Sequence, residues 1–564
     1  MMLAILVSND GGCQSVSVLL PPPPAVREDP EALIEEARRR TRRRRLRITI
    51  AAGVLVAAAA LAFLAGTRGS GRGVLAETAG RPFVNVDAFR HEGELAFISR
   101  GSLWVLDGTA GTLREVAATT YTGGFNTVSD VDGISTRVHG STPVVPQSPT
   151  FSHDGRWLAY LKTPQSADGS PSRLWLANAD GSGAHEIAGL AVDGLVGWSP
   201  TADALAVIVG ARGWYLNDRQ GQLPVRLELV SASGTVRRLL ALSTSPSRPG
   251  QIASAVWSPS GSDIAVSVWN PRRAISTTVS AYHVGGGRPT TWFSIPANRG
   301  LPDICSGSCG NMEVLADLTG WWPRRGIAFW AYCCGATRNL DDTPLEVLSA
   351  PGARPRLVAQ TLSDGVTDAV AAGPGGSLAV VATSTEGRDI GQGKIVETCG
   401  STPQACAPIP GGSVWTGPGR GRCTYFAGGP CPSPPRIGTP GSAVSLDPAW
   451  SPTAPLLAYV KAPYTFDPAR AWYDAHELYL WDSRSGSSSR LADVSGASVP
   501  TWSRDGSHLL YVSGDGHWLT PVAGGRPVEI EHPLFPQKQW KTTSSAISYF
   551  GQIDWTGQFS WSSA

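Results

Sequence analysis

The chain has 564 residues, of which 16% are charged, with 65 Gly, 44 Pro and 20 Trp. That length suits several domains or one large repeat array, and the Gly- and Pro-rich, charge-poor composition is that of many short strands joined by turns. Residues 1–47 carry nine Arg against six acids, net +3, and the remainder carries 38 basic against 39 acidic residues, net −1, so the bulk of the chain offers no nucleic-acid footprint.

Residues 1–26, with Pro21 to Pro24, read as disordered. Asp29 to Ala37 reads as a short helix, with Asp29 as N-cap, Pro30 at the first position and acids in the first turn. An Arg-rich run from Arg38 to Arg47 follows. Residues 48–66 are then 19 residues without a charge, about the length a helix needs to cross the hydrocarbon core. Because basic residues stay on the cytoplasmic side, the expected topology is residues 1–47 inside, a single transmembrane helix at 48–66, a linker at 67–84, and everything beyond outside. A cleaved signal peptide is the alternative, and 47 residues before the apolar stretch are too many for a usual one. The Arg run needs no purpose beyond flanking that stretch and touching anionic lipid.

From residue 85 onward one phrase recurs: an aromatic, usually Ser, a Pro/Asp/Gly turn, then an apolar strand. It is present at Phe151-Ser152-His153-Asp154-Gly155, Trp198-Ser199-Pro200, Trp257-Ser258-Pro259-Ser260-Gly261, Trp450-Ser451-Pro452 and Trp502-Ser503-Arg504-Asp505-Gly506, with a worn version at Phe89 to Gly93. A phrase repeated at intervals of tens of residues marks a repeat architecture. The clearest unit, 149–187, reads as four short antiparallel strands, one propeller blade. Strand pairs within 94–107, 204–230, 263–284, 326–348, 377–382, 456–482 and 508–520 bring the count to eight. The expected fold is all-β: an eight-bladed β-propeller of four-stranded antiparallel blades over 85–564, or seven-bladed if the weak 366–410 unit is an insertion. No blade buries both of its faces alone, so the array must close. The tail Gln552 to Trp561 reads as one more opening strand pair with no second half, used to complete the first blade and lock the ring. The recurrent aromatics are expected to fill the gaps between sheets.

These units resemble the WD40-like propeller repeat of the TolB type, found in bacterial envelope proteins and in the propellers of prolyl-oligopeptidase-like peptidases. The resemblance covers most of 85–530 and rests on the aromatic-Ser-turn phrase followed by strands such as Leu478-Tyr479-Leu480-Trp481. It implies a fold and says little of function. TolB carries an α/β domain before its propeller, for which 67–85 leaves no room, so its partner is not carried over.

Eight of the nine Cys follow the apolar stretch: Cys305, Cys309, Cys333, Cys334, Cys399, Cys406, Cys423 and Cys431. An even set on the outer side is what an oxidising exterior favours. Proximity suggests Cys399–Cys406 and Cys423–Cys431 as local staples, with Cys305 and Cys309 meeting Cys333 and Cys334. Their spacings make no pair of zinc knuckles. Cys-containing insertions are expected near 285–320 and 383–445. In the second, Trp415, Arg420, Arg422, Tyr425 and Phe426 form a candidate recognition loop.

No Gly-x-Ser-x-Gly elbow, H-E-x-x-H, phosphate loop or dinucleotide fingerprint is present. No catalytic, metal or cofactor residue is assigned, and no cofactor is expected. The reading is a membrane-anchored extracytoplasmic binding or scaffolding module of the bacterial cell envelope, with an envelope protein or glycan as partner. The alternative is a glycan-directed lyase or hydrolase with its site at the propeller channel mouth.

Overall fold

The computed structural model describes residues 80–129, 135–164, 171–214, 220–244, 250–270, 275–296, 314–333, 345–358, 370–373, 377–383, 394–399, 406–408, 414–415, 436–437, 443–463, 477–492, 497–514, 516–534 and 557–563. The expected short helix and the apolar stretch 48–66 lie outside them. No helix among the described residues is long and apolar enough to cross a membrane.

The described residues form antiparallel sheets of four or five strands, numbered here in chain order, plus one two-stranded pair. Sheet 1 comprises Glu94–Ser99, Ser102–Asp107 and Thr112–Ala117, with Phe559–Ser562 on its inner edge. Sheet 2 runs from Thr120–Ser129 to His185–Glu186, sheet 3 from Val192–Trp198 to Val236–Ala241, and sheet 4 from Gln251–Trp257 to Thr290–Pro296. Sheet 5 runs from Val314–Trp322 to Arg356–Leu357, and sheet 6 from Val370–Ala372 to Cys406–Pro408. Sheet 7 runs from Ala443–Trp450 to Ser487–Ala492. Sheet 8 runs from Ser498–Trp502 to Val528–His532, with Phe83–Val84 on its outer edge.

Alternation along each central strand sends apolar side chains to both faces, and each face meets the next sheet. Ala96, Leu103 and Val105 of sheet 1 pack on Leu158 and Tyr160 of sheet 2. Leu161 and Leu176 pack on Leu205 and Val207 of sheet 3. Leu227 and Leu229 meet Ile264 and Val266 of sheet 4. Val279 and Trp292 meet Leu318 and Phe329 of sheet 5, and Trp330 and Val347 meet Leu378 of sheet 6. Sheet 6 lies against the Ala443–Trp450 strand, and Val460 and Leu478 of sheet 7 meet Leu509 and Tyr511 of sheet 8. Finally Leu510, Val512 and Ile530 of sheet 8 pack on Leu95, Phe97 and Leu106 of sheet 1. The last sheet therefore covers the first, and the all-β arrangement fits a β-propeller.

Two details differ from expectation. Phe83–Val84, placed in the linker, pairs with Val528–His532 through Phe83↔His532 and Val84↔Glu531; two residues carry too little periodicity to announce a strand. The strand expected to open the 149–187 unit spans Ser135–Phe151 rather than four residues, and it pairs with a further edge strand, Thr120–Ser129, that was not expected. Its Pro143 and Pro146 and its Ser/Thr/Gly content hide it from a strand reading.

Candidate binding site at the inner strand ends

In each repeat that carries the phrase the aromatic closes the inner strand and pairs with the second residue of the next strand. The register partners are Phe151↔Leu158, Trp198↔Leu205, Trp257↔Ile264, Trp450↔Leu457 and Trp502↔Leu509. Trp561 takes the same position opposite Leu95. The phrase of sheet 1 is thus split between the two ends of the chain: Trp561-Ser562 supplies its first half, and the turn ending at Gly93 supplies the rest. The worn Phe89 to Gly93 segment has no inner strand of its own; Phe89 is instead fully buried in the seam with sheet 8.

Four of these indoles hold neighbouring segments together, while Trp450 Nε1 is buried without a hydrogen-bond partner among the described residues. Trp198 Nε1 donates to the Thr150 carbonyl (3.1 Å), Trp257 Nε1 to Gly197 (2.9 Å), Trp502 Nε1 to Ala449 (2.9 Å) and Trp561 Nε1 to Glu92 (2.7 Å). The first three acceptors are each the residue before the preceding sheet's aromatic, so these indoles bond sheet to sheet. The Ser after each aromatic is buried at Ser152, Ser199, Ser258, Ser451, Ser503 and Ser562. Its hydroxyl caps the turn: Trp157, Asp263 and His508 donate their N–H to Ser152, Ser258 and Ser503.

The turn acids belong to the same scaffold. Ser503 Oγ donates to Asp505 (2.6 Å), Ser507 adds two more bonds, and these hold the Asp505 carboxyl down to about 2. Burial pushes Asp154 up, and bonds from Ser152 and Arg156 outweigh it, leaving that carboxyl well below the usual range. Across sheets, Thr201 Oγ1 donates to the Ser260 carbonyl (3.0 Å) and Thr453 Oγ1 to that of Asp505 (3.1 Å). The motifs were legible in sequence, but these threonines were missed, because nothing local marks a bond to the next repeat.

A cavity of about 530 Å³ opens where the inner strands of sheets 7, 8, 1 and 2 end. Phe151, Trp450, Trp502 and Trp561 give it ring surface, while Ser152, Thr501, Ser560, Ser562 and Ser563 give hydroxyls. His153 and Arg504 also line it, and no carboxylate does among the described residues. Arg504 crosses from sheet 8: its backbone N–H meets Ser563 Oγ, and Nη2 donates to the His153 carbonyl (2.9 Å). The inner strands feeding the cavity bulge three residues before their aromatics, with φ of 54° at Ser148, 50° at Asp447 and 49° at Val499. A β-branched residue there is strained, and such strain gathers at functional sites.

Few of the sequence-predicted site residues are among the described ones. Trp415 sits on Val414–Trp415, paired with Arg436–Ile437; Arg420, Arg422, Tyr425 and Phe426 lie outside the described residues. Cys399 and Cys406 are direct register partners across one strand pair, and Cys333 ends the Gly326–Cys333 strand. Cys305, Cys309, Cys334, Cys423 and Cys431 lie outside the described residues. No group of three or more His, Cys, Asp or Glu that suits a metal ion exists among the described residues.

No family model matches the chain, and no curated protein matches it. Among solved structures it is similar to a prolyl endopeptidase, with 11% identity over 78% of this chain and 54% of that one and a TM-score of 0.39. The chain spans about half the length of that peptidase. It is similar to oligogalacturonate lyase from Vibrio parahaemolyticus, with 11% identity over 74% and 98% of the two chains and a TM-score of 0.37. TolB from Acinetobacter baumannii gives 11% identity over 55% and 61% and a TM-score of 0.29. At these values no activity, substrate or partner passes from those proteins to this chain.

Proposed function

We propose that this chain is a single-pass membrane protein, with residues 1–47 inside and an eight-bladed propeller outside the cytoplasmic membrane. It acts as a binding or scaffolding module of the cell envelope. Each of the eight large sheets is one blade in this reading, including the weak one at Val370–Ala372 to Cys406–Pro408. The ligand or partner enters the channel end beside Trp450, Trp502 and Arg504.

One observation carries this reading: the cavity presents ring surface, hydroxyls, one guanidinium and one imidazole, with no carboxylate among its described lining residues to pair with that imidazole as hydrolysis or elimination commonly needs. Their bonded indoles make the Trp502 and Trp561 rings rigid walls. Strain at Ser148, Asp447 and Val499 adds support. The Arg run before an apolar stretch supports the topology. So does the placement of Cys399 opposite Cys406, where antiparallel Cα spacing of about 5 Å suits a disulfide.

The test compares detergent-solubilised wild type and Arg504→Glu, captured from native membranes, with partners identified by mass spectrometry. Arg504 is exposed, so the variant should fold. The expected result is an envelope partner retained by wild type and reduced at least tenfold on the variant. Equal recovery on both removes the cavity from the interaction. Cleavage of an envelope polysaccharide by the purified protein supports the enzyme instead. Non-reducing peptide mapping of the same preparation is expected to show residues 399 and 406 linked; free thiols at both would contradict the outer placement.

A further inference from the structure

One buried ionisable pair takes no part in the repeat or the cavity. His517 and Glu531 are both fully buried, with His517 Nδ1 2.6 Å from Glu531 Oε1. They sit in sheet 8 at its seam with sheet 1. His517 Nε2 and Glu531 Oε2, the other two polar atoms of the pair, have no hydrogen-bond partner among the described residues. The imidazole is wedged edge-on between Phe97 of sheet 1 (6.3 Å) and Phe559 of the C-terminal strand (4.5 Å). Glu531 also lies opposite Val84, on the strand that begins the described fold. One pair therefore touches all three strands through which the chain ends meet.

We propose that Glu531 is a proton-operated latch on this seam: taking up a proton tightens the hold on Phe559–Ser562, and losing it loosens that strand. A protonated carboxyl places no anion in the apolar seam. An ionised one leaves Oε2 as an unpartnered anionic oxygen in a fully buried position beside His517, whose ring packs on Phe97 and Phe559, and a buried charged group without full pairing is costly. Water must then enter, and Phe559, packed on His517, is the side chain in its way.

Among the described residues, other titratable groups are few on this seam. Sheet 8 contributes Glu529 and His532, which pair at 3.2 Å and are both partly exposed. On the His508–Ser513 strand, His508 faces Glu92 (3.6 Å) and Tyr511 is buried toward sheet 7. On the Glu94–Ser99 strand only Glu94 ionises, at the far end, opposite Ser562. The Phe83–Val84 and Phe559–Ser562 strands carry none.

Burial raises the Glu531 carboxyl, against the lowering effect of His517. A group raised on folding contributes stability that is complete below its unfolded value, about 4.3 for Glu, and that fades as the pH climbs through the raised value. The seam should thus be tighter in mild acid than above neutrality.

The experiment is hydrogen exchange on the full chain at pH 4.5 and pH 8, corrected for intrinsic rates. Residues 559–562 are compared with the remote Ile264–Val266 stretch. Protection of 559–562 is expected to fall at least tenfold between the two pH values, beyond any change at 264–266. Glu531→Gln should keep the acid-level protection at pH 8. His517→Gln, which leaves the carboxyl alone, should keep the pH dependence, and Glu529→Gln should leave it unchanged. Equal protection at both pH values in the wild type overturns the latch. So does the same fall in Glu531→Gln, or a fall abolished by Glu529→Gln. None of these outcomes bears on the cavity or its ligand.

Discussion

Deleting residues 557–564 should abolish cooperative unfolding of the whole array. The strand Phe559–Ser562 is the inner strand of sheet 1 and pairs along Glu94 to Phe97. It also carries seam bonds: Ile98 N–H to the Gln558 carbonyl, Ser148 N–H to that of Gly557, and Trp561 Nε1 to that of Glu92. Its loss strips cover from Leu95, Phe97 and Leu510, all fully buried, and leaves the edge of Glu94–Ser99 unpaired. Truncating one large buried aromatic costs about 3–5 kcal/mol, and the net stability of a domain is only about 5–15 kcal/mol. Trp561 is half-buried, so Trp561→Ala alone should cost about 3 kcal/mol. Chemical denaturation of the deletion variant should show a broad or early transition. A synthetic peptide of residues 557–564 added in trans should restore it by strand addition. A transition unchanged by the deletion would show that the terminal strand is ornamental.

Gly261→Ala should be far more damaging than the same single-methyl change at a turn glycine with open surroundings. Gly261 has a φ of 69°, where an L side chain costs about 1–2 kcal/mol. A Cβ there would also overlap Thr201 Oγ1 and approach Ser199 Oγ to 2.7 Å. Both groups are held, Thr201 by its bond to the Ser260 carbonyl and Ser199 by burial. Gly352 has nearly the same φ, 74°, with nothing within 4 Å of its Cβ position, so Gly352→Ala isolates the backbone part. The expected losses are about 1 kcal/mol for Gly352→Ala and about 3 kcal/mol for Gly261→Ala, read from denaturation midpoints. Thr201→Ala in the Gly261→Ala background should recover part of the difference, giving a coupling of at least about 0.5 kcal/mol. Equal losses at the two glycines would mean that the turns do not touch across sheets.

The repeat was readable because its parts are local. Trp502 to Gly506 announces an inner strand end, a buried Ser and a turn within five residues, and Leu509 follows at the spacing its pairing needs. The split sheet was readable as well, since Phe559-Ser560-Trp561-Ser562 repeats the aromatic-Ser phrase where no second half follows. What stayed hidden is long-range. The threonine bonds between turns, the Phe83–Val84 strand and the His517–Glu531 pair each join residues that sequence spacing does not connect. The cavity was hidden for the same reason: Phe151, Trp450, Trp502 and Trp561 converge only when the ends of the chain meet. The loop around Arg420 drew notice because it is rich in Cys and aromatics, which is a statement of composition and fixes no geometry.

The central claim is that residues near both ends of the described fold share one sheet. Ala96 and Ser560 are direct register partners, at a separation that suits a disulfide. Oxidation of an Ala96→Cys/Ser560→Cys variant, followed by peptide mapping of the monomer, measures this directly. The account predicts a single intramolecular link between positions 96 and 560 in folded protein. Absence of that link, or a link found only between two chains, would contradict it.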